Sequence, residues 1–269
     1  MGEPIAGSIE KLSDIKGVQK NPSVQPAQSQ PVVFPTPASN IRNPQDYIIV
    51  PGASYGKYSY PDLLVSTSRF YFNSTWQEAH EKLAKESSPA FMLTPRQFVD
   101  FLKVLRSGTA YDGTDKKLSS AKCDEILGDI YEQRSPQRFE WLDAKFESRG
   151  GLLGVIGSKR FISYEHTIQN GQLVSAHSEK LTDYLNKNMA PGGPGIDLTS
   201  WIENANEHGL PRANVPIPMG RINYQGPSSY GNEVVALFGA CPGWVGLDCE
   251  EKLHKLNSST GVRIARKKT

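Results

Sequence analysis

The chain has 269 residues, of which 38% are hydrophobic and 22% charged, and its formal net charge is +2. So balanced a charge argues against a nucleic-acid-binding protein, which usually carries a clear basic excess. No apolar run approaches the length needed to cross a bilayer, and the N-terminus lacks the apolar core of a secretory signal, so we expect a soluble, cytoplasmic protein.

The first 45 residues differ in composition from the rest of the chain. They are rich in Pro, Ser and Gln, and six prolines fall between positions 22 and 44. Each proline removes a backbone donor and biases the preceding residue to extended geometry. We therefore expect residues 1–45 to be a disordered arm and residues 46–269 to form a single globular domain.

The domain is predicted to begin with two short strands and then two helices. Strands are expected at 46–52 and 60–72, where β-branched and aromatic residues cluster. Each helix has a start signal, because Thr75 with Glu78, and Thr94 with Gln97, show the spacing of a capping box. The apolar faces expected to be buried are Trp76, Ala79, His80, Leu83 and Ala84 in the first helix, and Phe98, Phe101, Leu102 and Leu105 in the second.

Further helices and a β region complete the predicted order. A third helix is expected over 120–133, and Ser135-Pro136 is expected to open a fourth, because Phe139, Leu142 and Phe146 follow at helical spacing. Helices are also expected at 178–187 and after Asp197, the latter ended by Gly209. Alternating patterns predict strands at 152–156, 160–168, 172–177, 233–239 and 260–266. This order predicts an α+β fold, with helices first and then an antiparallel, hairpin-rich β region.

One hairpin gives a geometric prediction for two histidines. Asn170-Gly171 predicts a type I′ turn, because both central positions of that turn need positive φ. The resulting register makes His166 and His177 diagonal neighbours on one face. They form either a metal-binding or acid–base pair or, more simply, two half-buried side chains satisfied by hydrogen bonds. Glu165 lies on the opposite face in this register and is not expected to join them.

The sequence lacks catalytic signatures. It contains no GxSxG elbow, P-loop, GxGxxG turn after a strand, HExxH helix or EF-hand loop. No catalytic residue, metal ligand or cofactor is therefore predicted. Three cysteines, Cys123, Cys241 and Cys249, are too few for a disulfide scaffold. Cys241 and Cys249 either pair or remain ordinary thiols, and a reducing cytoplasm favours thiols.

The segments 221–232 and 241–251 are the predicted binding loops. Tyr224, Tyr230 and Trp244 lie among glycines, and Asp248 is close to Trp244 in the sequence. Exposed aromatic side chains beside convergent polar groups suit a binding surface for sugars or peptides. The alternative is that these aromatics fill the core beneath irregular loops.

Short motifs at both ends of the domain resemble a known family. The segments TWQEAHEKL at 75–83, FMLTPRQFVDFL at 91–102 and TGVRIAR at 260–266 are similar to the skeleton of C-type-lectin-like domains, in the branch of the formylglycine-generating, sulfatase-modifying enzymes. The resemblance implies a C-type-lectin-like fold. The residues at equivalent structural positions are Trp76, Ala79, Leu93, Phe98, Gly261, Val262 and Arg263.

Departures from the family pattern argue against the enzymatic role that the resemblance implies. Leu93-Thr94-Pro95 inverts the usual Pro-Thr order, and the Arg-Gly-Gly-Ser-Trp segment is missing. Cys241 and Cys249 lack the context and spacing of the family's copper-binding cysteines. The sugar-ligating triplets Glu-Pro-Asn and Gln-Pro-Asp are absent as well.

Three functional hypotheses follow. The first is a non-catalytic binding module that holds an unknown ligand, a glycan or a protein, in its C-terminal loops. The second is a redox or metal-dependent enzyme that uses Cys241 and Cys249, or His166 and His177. The third is a structural or phage-type assembly protein, which the N-terminal arm would also suit.

Overall fold

The computed structural model describes residues 43–150, 159–186, 195–215, 218–227 and 233–269. The predicted arm, apart from residues 43–45, and the predicted strand at 152–156 lie outside the described residues. The described part contains four α-helices: α1 (Trp76–Leu83), α2 (Pro95–Arg106), α3 (Ser120–Tyr131) and α4 (Leu198–Asn204). None of these helices is long and apolar enough to cross a membrane.

Strands dominate the described residues. The first eight are β1 (Tyr47–Val50), β2 (Ala53–Tyr55), β3 (Tyr58–Tyr60), β4 (Leu63–Phe70), β5 (Phe91–Met92), β6 (Arg138–Arg149), β7 (Lys159–Gln169) and β8 (Gln172–Lys180). The others are β9 (Gly195–Ile196), β10 (Met219–Gly220), β11 (Asn223–Gln225), β12 (Val234–Cys241), β13 (Trp244–Lys252) and β14 (Thr260–Lys267). The α+β class is confirmed, but β1 to β4 precede α1, so the helices do not come first.

The two predicted capping boxes are confirmed. The side chains of Thr75 and Thr94 each accept a hydrogen bond from the backbone N–H three residues on. The side chains of Glu78 and Gln97 in turn accept the backbone N–H of the cap residue. Two orphan backbone donors are thereby satisfied at each helix start. The predicted buried faces are also present, except that Ala84 is exposed, because α1 ends at Leu83 and Ala84 serves as its C-cap.

Three helix predictions need correction. The helix expected after Ser135-Pro136 is the strand β6, and the helix expected at 178–187 is the end of β8 followed by irregular chain as far as residue 186. The helix capped by Asp197 is present, but it ends at Asn204, well before Gly209. In β6 the apolar residues have no strict alternation, because both faces of the strand are buried.

The main sheet is mixed rather than antiparallel. Its central path runs β1-β4-β14-β6-β12-β13-β11, and β7 and β8 extend it from β6. Two pairs in this path are parallel, β14 with β6 and β11 with β13. The C-terminal strand β14 therefore lies in the middle of the sheet, between β4 and β6.

Two hydrophobic clusters lie on opposite sides of the strands. In β12, Ala236 and Phe238 belong to the larger cluster, and Val235 and Leu237 belong to the smaller one. The larger cluster is covered by α2, α3 and α4, and the smaller one by α1 and its Trp76. Because successive side chains of a strand point to opposite faces, β12 contributes to both clusters.

Candidate functional site

Most of the segment 241–251, predicted to be a loop, belongs to the strand β13 (Trp244–Lys252). It forms a hairpin with β12 in which Cys241 pairs with Trp244, and Gly243 occupies the turn with φ of 80°. Val245, Leu247 and Cys249 enter the larger cluster, so Trp244 and Asp248 lie on the other face. The segment was predicted to be a loop because of its glycines and cysteines, although its side chains alternate between the two faces of a strand.

A β-bulge brings a second carboxylate to the same face. Leu237 pairs with Asp248, whereas Val235 pairs with Glu251, so the register shifts by one residue between them. Such an extra residue reverses the direction of the side chains that follow it. Glu251 therefore joins Asp248 and Trp244 on one surface, although strict alternation would place it on the other.

These residues surround a cavity of about 130 Å³, which we call the Trp244 pocket. Aromatic side chains form one part of it: the ring centroids of Phe139 and Trp244 lie 6.0 Å apart, and Gly239 leaves the space that the Phe139 ring occupies. The complete lining is Phe139, Trp141, Gln225, Leu237, Cys241, Trp244, Asp248, Glu251, Lys255, Asn257 and Thr260.

The polar side of the Trp244 pocket is an ordered network. Asp248 Oδ1 accepts the backbone N–H of Glu250 at 2.7 Å. In the amide orientation that satisfies both groups, Gln225 donates to Asp248 Oδ2 at 2.7 Å. Glu251 forms an ion pair with Lys255. Burial, aided by the two neighbouring glutamates, raises the pKa of Asp248 to about 6. At neutral pH this group is therefore mostly an ionised carboxylate, which accepts hydrogen bonds, and it gains an O–H donor only as the pH falls towards 6 and below.

The predicted binding residues do not all meet at this pocket. Trp244 and Asp248 line it, but Tyr224 is fully buried in the core on the opposite face, and Tyr230 lies outside the described residues. For Tyr224 the alternative of a core-filling aromatic is correct. Gln225, next to it in β11, is one of the pocket residues that the prediction missed. Alternation within a strand is the signal that separates Gln225 from Tyr224.

Cys241 and Cys249 are free thiols, as the second alternative predicted. Cys241 lines the Trp244 pocket, whereas Cys249 is buried in the larger cluster. Burial raises the pKa of both thiols, which reduces the fraction present as the nucleophilic thiolate. The two side chains therefore lie on opposite faces of the hairpin and do not form a redox pair.

The predicted register of the β7–β8 hairpin is confirmed, yet His166 and His177 have different partners. Tyr164 pairs with His177, and the two rings stack 4.9 Å apart. Glu165 has φ of 55°, which turns its side chain so that Oε2 lies 3.4 Å from His177 Nε2. The expectation that Glu165 lies away from this histidine is therefore wrong, because it assumed regular strand geometry at a residue in the left-handed region.

His166 belongs instead to a buried cluster with His80 and Asp143. Asp143 accepts the backbone N–H of His166 at 2.8 Å, and its Oδ1 lies 2.5 Å from His166 Nδ1. His80 Nε2 lies 3.6 Å from the same carboxylate, and burial lowers the pKa of His80 to about 4. The exposed fraction of all three side chains is between 1% and 4%, so a substrate in solution does not reach them. The arrangement ties α1 to β6 and β7.

The chain was also compared with known proteins. No protein-family model matches it, and neither a curated protein nor a solved structure is significantly similar to it. Function is therefore inferred from the residues and their geometry.

Proposed function

We propose that the protein is a non-catalytic binding module whose Trp244 pocket holds one saccharide unit. The observation that carries the proposal is the placement of Trp244 and Phe139 beside Asp248 and Gln225 in one open cavity. Aromatic faces pack against the C–H face of a sugar ring, and carboxyl and amide groups exchange hydrogen bonds with its hydroxyls.

The size of the pocket favours a single ring. A cavity of about 130 Å³ is smaller than the roughly 300–1,000 Å³ of sites that hold drug-sized ligands. We therefore expect recognition of a terminal monosaccharide, with the remainder of a glycan directed to solvent.

Three observations favour binding over turnover in this pocket. Hydrogen bonds from Gln225 and from a backbone N–H hold the Asp248 side chain in one orientation, which suits recognition of a ligand. Glu251 is paired with Lys255. The thiol of Cys241, which also lines the pocket, has a raised pKa and is a poor nucleophile.

A glycan array tests the proposal. The full chain should bind a set of glycans that share one terminal monosaccharide, and Trp244→Ala should weaken this binding at least tenfold while the melting temperature changes little. Tyr111→Ala removes an aromatic side chain that is 45% exposed outside the pocket, and it should bind normally.

Two results would overturn the proposal. One is an array on which the native chain captures no glycan. The other is a Trp244→Ala protein that binds the same glycans with unchanged affinity, since the ligand would then lie elsewhere.

A further inference from the structure

A second polar cluster lies away from the Trp244 pocket. It consists of Glu179, near the end of β8, and of Glu207 and His208, in the loop that follows α4. Each residue offers one donor atom, and the three atoms lie within 4.8 Å of one another. The carboxylates are partly exposed, whereas the histidine is buried.

His208 provides the observation that points to a ligand. Its side chain is 2% exposed, and Nε2 has no hydrogen-bond partner among the residues that the structure describes. The Oε1 atom of Glu207 lies 3.6 Å away, too far for a good hydrogen bond. A buried polar atom without a partner destabilises the folded state, and a bound cation would remove this penalty.

The loop that carries Glu207 and His208 is firmly held. Asn206 Oδ1 accepts the backbone N–H of His208 at 3.0 Å and that of Leu210 at 2.9 Å. Gly209 has φ of 80°, and a Cβ at this position would lie 2.3 Å from the carbonyl carbon of Pro95. A loop fixed in this way presents its side chains with little loss of entropy on binding.

Tyr164 and Arg96 lie next to the cluster. Tyr164 donates to Glu179 Oε1 at 2.7 Å, which orients this carboxylate without neutralising it. Arg96 lines a small cavity together with Glu207 and His208. Its guanidinium group forms an ion pair with Asp100 at 2.7 Å. Two carboxylates and an imidazole therefore face a space that suits a positive ion.

We propose that Glu179, Glu207 and His208 bind a divalent transition-metal ion, with Zn²⁺ as the best fit. Mixed imidazole and carboxylate ligands suit zinc, whereas Ca²⁺ and Mg²⁺ prefer oxygen ligands alone. Zinc bonds of about 2.0–2.2 Å place tetrahedral donors about 3.4 Å apart. The Glu207 side chain is 41% exposed and is free to turn inward and close the gap. Three protein ligands leave the fourth position to water or to a ligand donor.

Zinc alone serves as the probe. The full-length, untagged chain is stripped with a chelator and then titrated with Zn²⁺ in competition with a chromophoric chelator. The native protein should bind one equivalent, and Glu207→Gln and Glu179→Gln should each weaken the site at least tenfold. Glu203→Gln removes an exposed carboxylate from α4, and His254→Gln removes an exposed imidazole; both should bind zinc normally.

The buried cluster of His80, Asp143 and His166 is the competing site within the described residues. Titration of His80→Gln separates the two. Zinc binding that persists in His80→Gln and is lost in Glu207→Gln supports the proposal. The reverse pattern overturns it, and so does a native chain that binds no zinc. Circular dichroism of each variant confirms that Glu207→Gln, at the surface, retains the native fold.

Discussion

At the scale of single residues, the hydroxyl of Tyr224 destabilises the core. Tyr224 is fully buried, and its Oη has no hydrogen-bond partner among the described residues. Burying an unsatisfied hydroxyl costs about 1–3 kcal/mol. Tyr224→Phe should therefore leave the free energy of unfolding unchanged or raise it by about 1 kcal/mol, as measured by urea denaturation.

Tyr58→Phe is the matched control. Its hydroxyl accepts a hydrogen bond from Gln97 at 2.8 Å and donates to Glu165 at 3.2 Å. Losing these bonds should lower the free energy of unfolding by about 1–3 kcal/mol. A Tyr224→Phe protein as unstable as Tyr58→Phe would contradict the assignment of an unsatisfied hydroxyl.

Asp248 makes stability depend on pH. Burial raises its pKa from 3.8 to about 6, so the folded state binds the proton more tightly than the unfolded state does. The contribution of Asp248 to the free energy of unfolding is therefore most favourable below about pH 4, and it is lost as the pH rises through 6. Asp248→Asn should be more stable than the native protein at pH 7.5, by at most about 3 kcal/mol, and no more stable at pH 4.

Urea denaturation of both proteins at the two pH values measures this difference. Asp124→Asn, which removes an exposed carboxylate from α3, should show no comparable change with pH. A stability difference between native and Asp248→Asn proteins that is equal at pH 4 and pH 7.5 would contradict the raised pKa.

The site residues were only partly predictable for a physical reason. Composition identified the region of Trp244 and Asp248, because clustered aromatic and acidic residues are visible in the sequence. It did not separate Tyr224 from Gln225, because the face each occupies depends on the parallel pairing of β11 with β13. Phe139 comes from β6, about a hundred residues earlier, and a local pattern does not bring it to the pocket.

At the scale of elements, the close approach of β11 to β13 depends on Gly246. A Cβ at this position would lie 2.1 Å from the carbonyl oxygen of Asn223, and that backbone cannot move without breaking the strand pair. Gly246→Ala should therefore lower the free energy of unfolding by about 1–3 kcal/mol. It should also weaken binding at the Trp244 pocket, because Gln225 lies on the displaced strand.

Gly128 in α3 is the matched control. Nothing lies within 4 Å of a Cβ added there, and its backbone is helical. Gly128→Ala should raise the free energy of unfolding by about 0.5–1 kcal/mol, because alanine loses less backbone entropy in a helix. Equal effects of the two substitutions in urea denaturation would contradict the steric role of Gly246.

The elements that the sequence predicted well are those with local signals. Capping boxes at Thr75 and Thr94 act within one helical turn, and the Asn170-Gly171 turn fixes its hairpin directly. The longest element assigned to the wrong class was β6. Its apolar residues occur on both faces because helices from distant parts of the chain cover both sides of the sheet, and this coverage is not encoded locally. The mixed strand order has the same origin.

At the scale of the whole molecule, the two ends of the chain should differ in importance. Residues 1–35 belong to the segment with the composition of a disordered arm. Deleting them should change the melting temperature by less than about 4 °C, equivalent to roughly 1 kcal/mol. Deleting residues 260–269 removes β14 from between β4 and β6 and should abolish cooperative thermal unfolding.

Differential scanning calorimetry of the two truncated chains measures both effects. A cooperative transition in the chain that lacks residues 260–269 would mean that β4 and β6 form stable structures without β14. A large drop in melting temperature after removal of residues 1–35 would mean that the N-terminal segment stabilises the domain.

The central position of β14 also constrains how the protein is made. Ile264 donates its N–H to Ser66 Oγ, a partner 198 positions earlier in the chain. While the ribosome is still translating the intervening residues, β4 and β6 each lack the neighbour that joins them, and their open edges invite pairing with other chains. The nascent protein must therefore hold two incomplete half-sheets apart until residues 260–267 emerge, and contacts so distant in sequence form slowly. Newly synthesised chains are accordingly expected to depend on chaperones that shield strand edges.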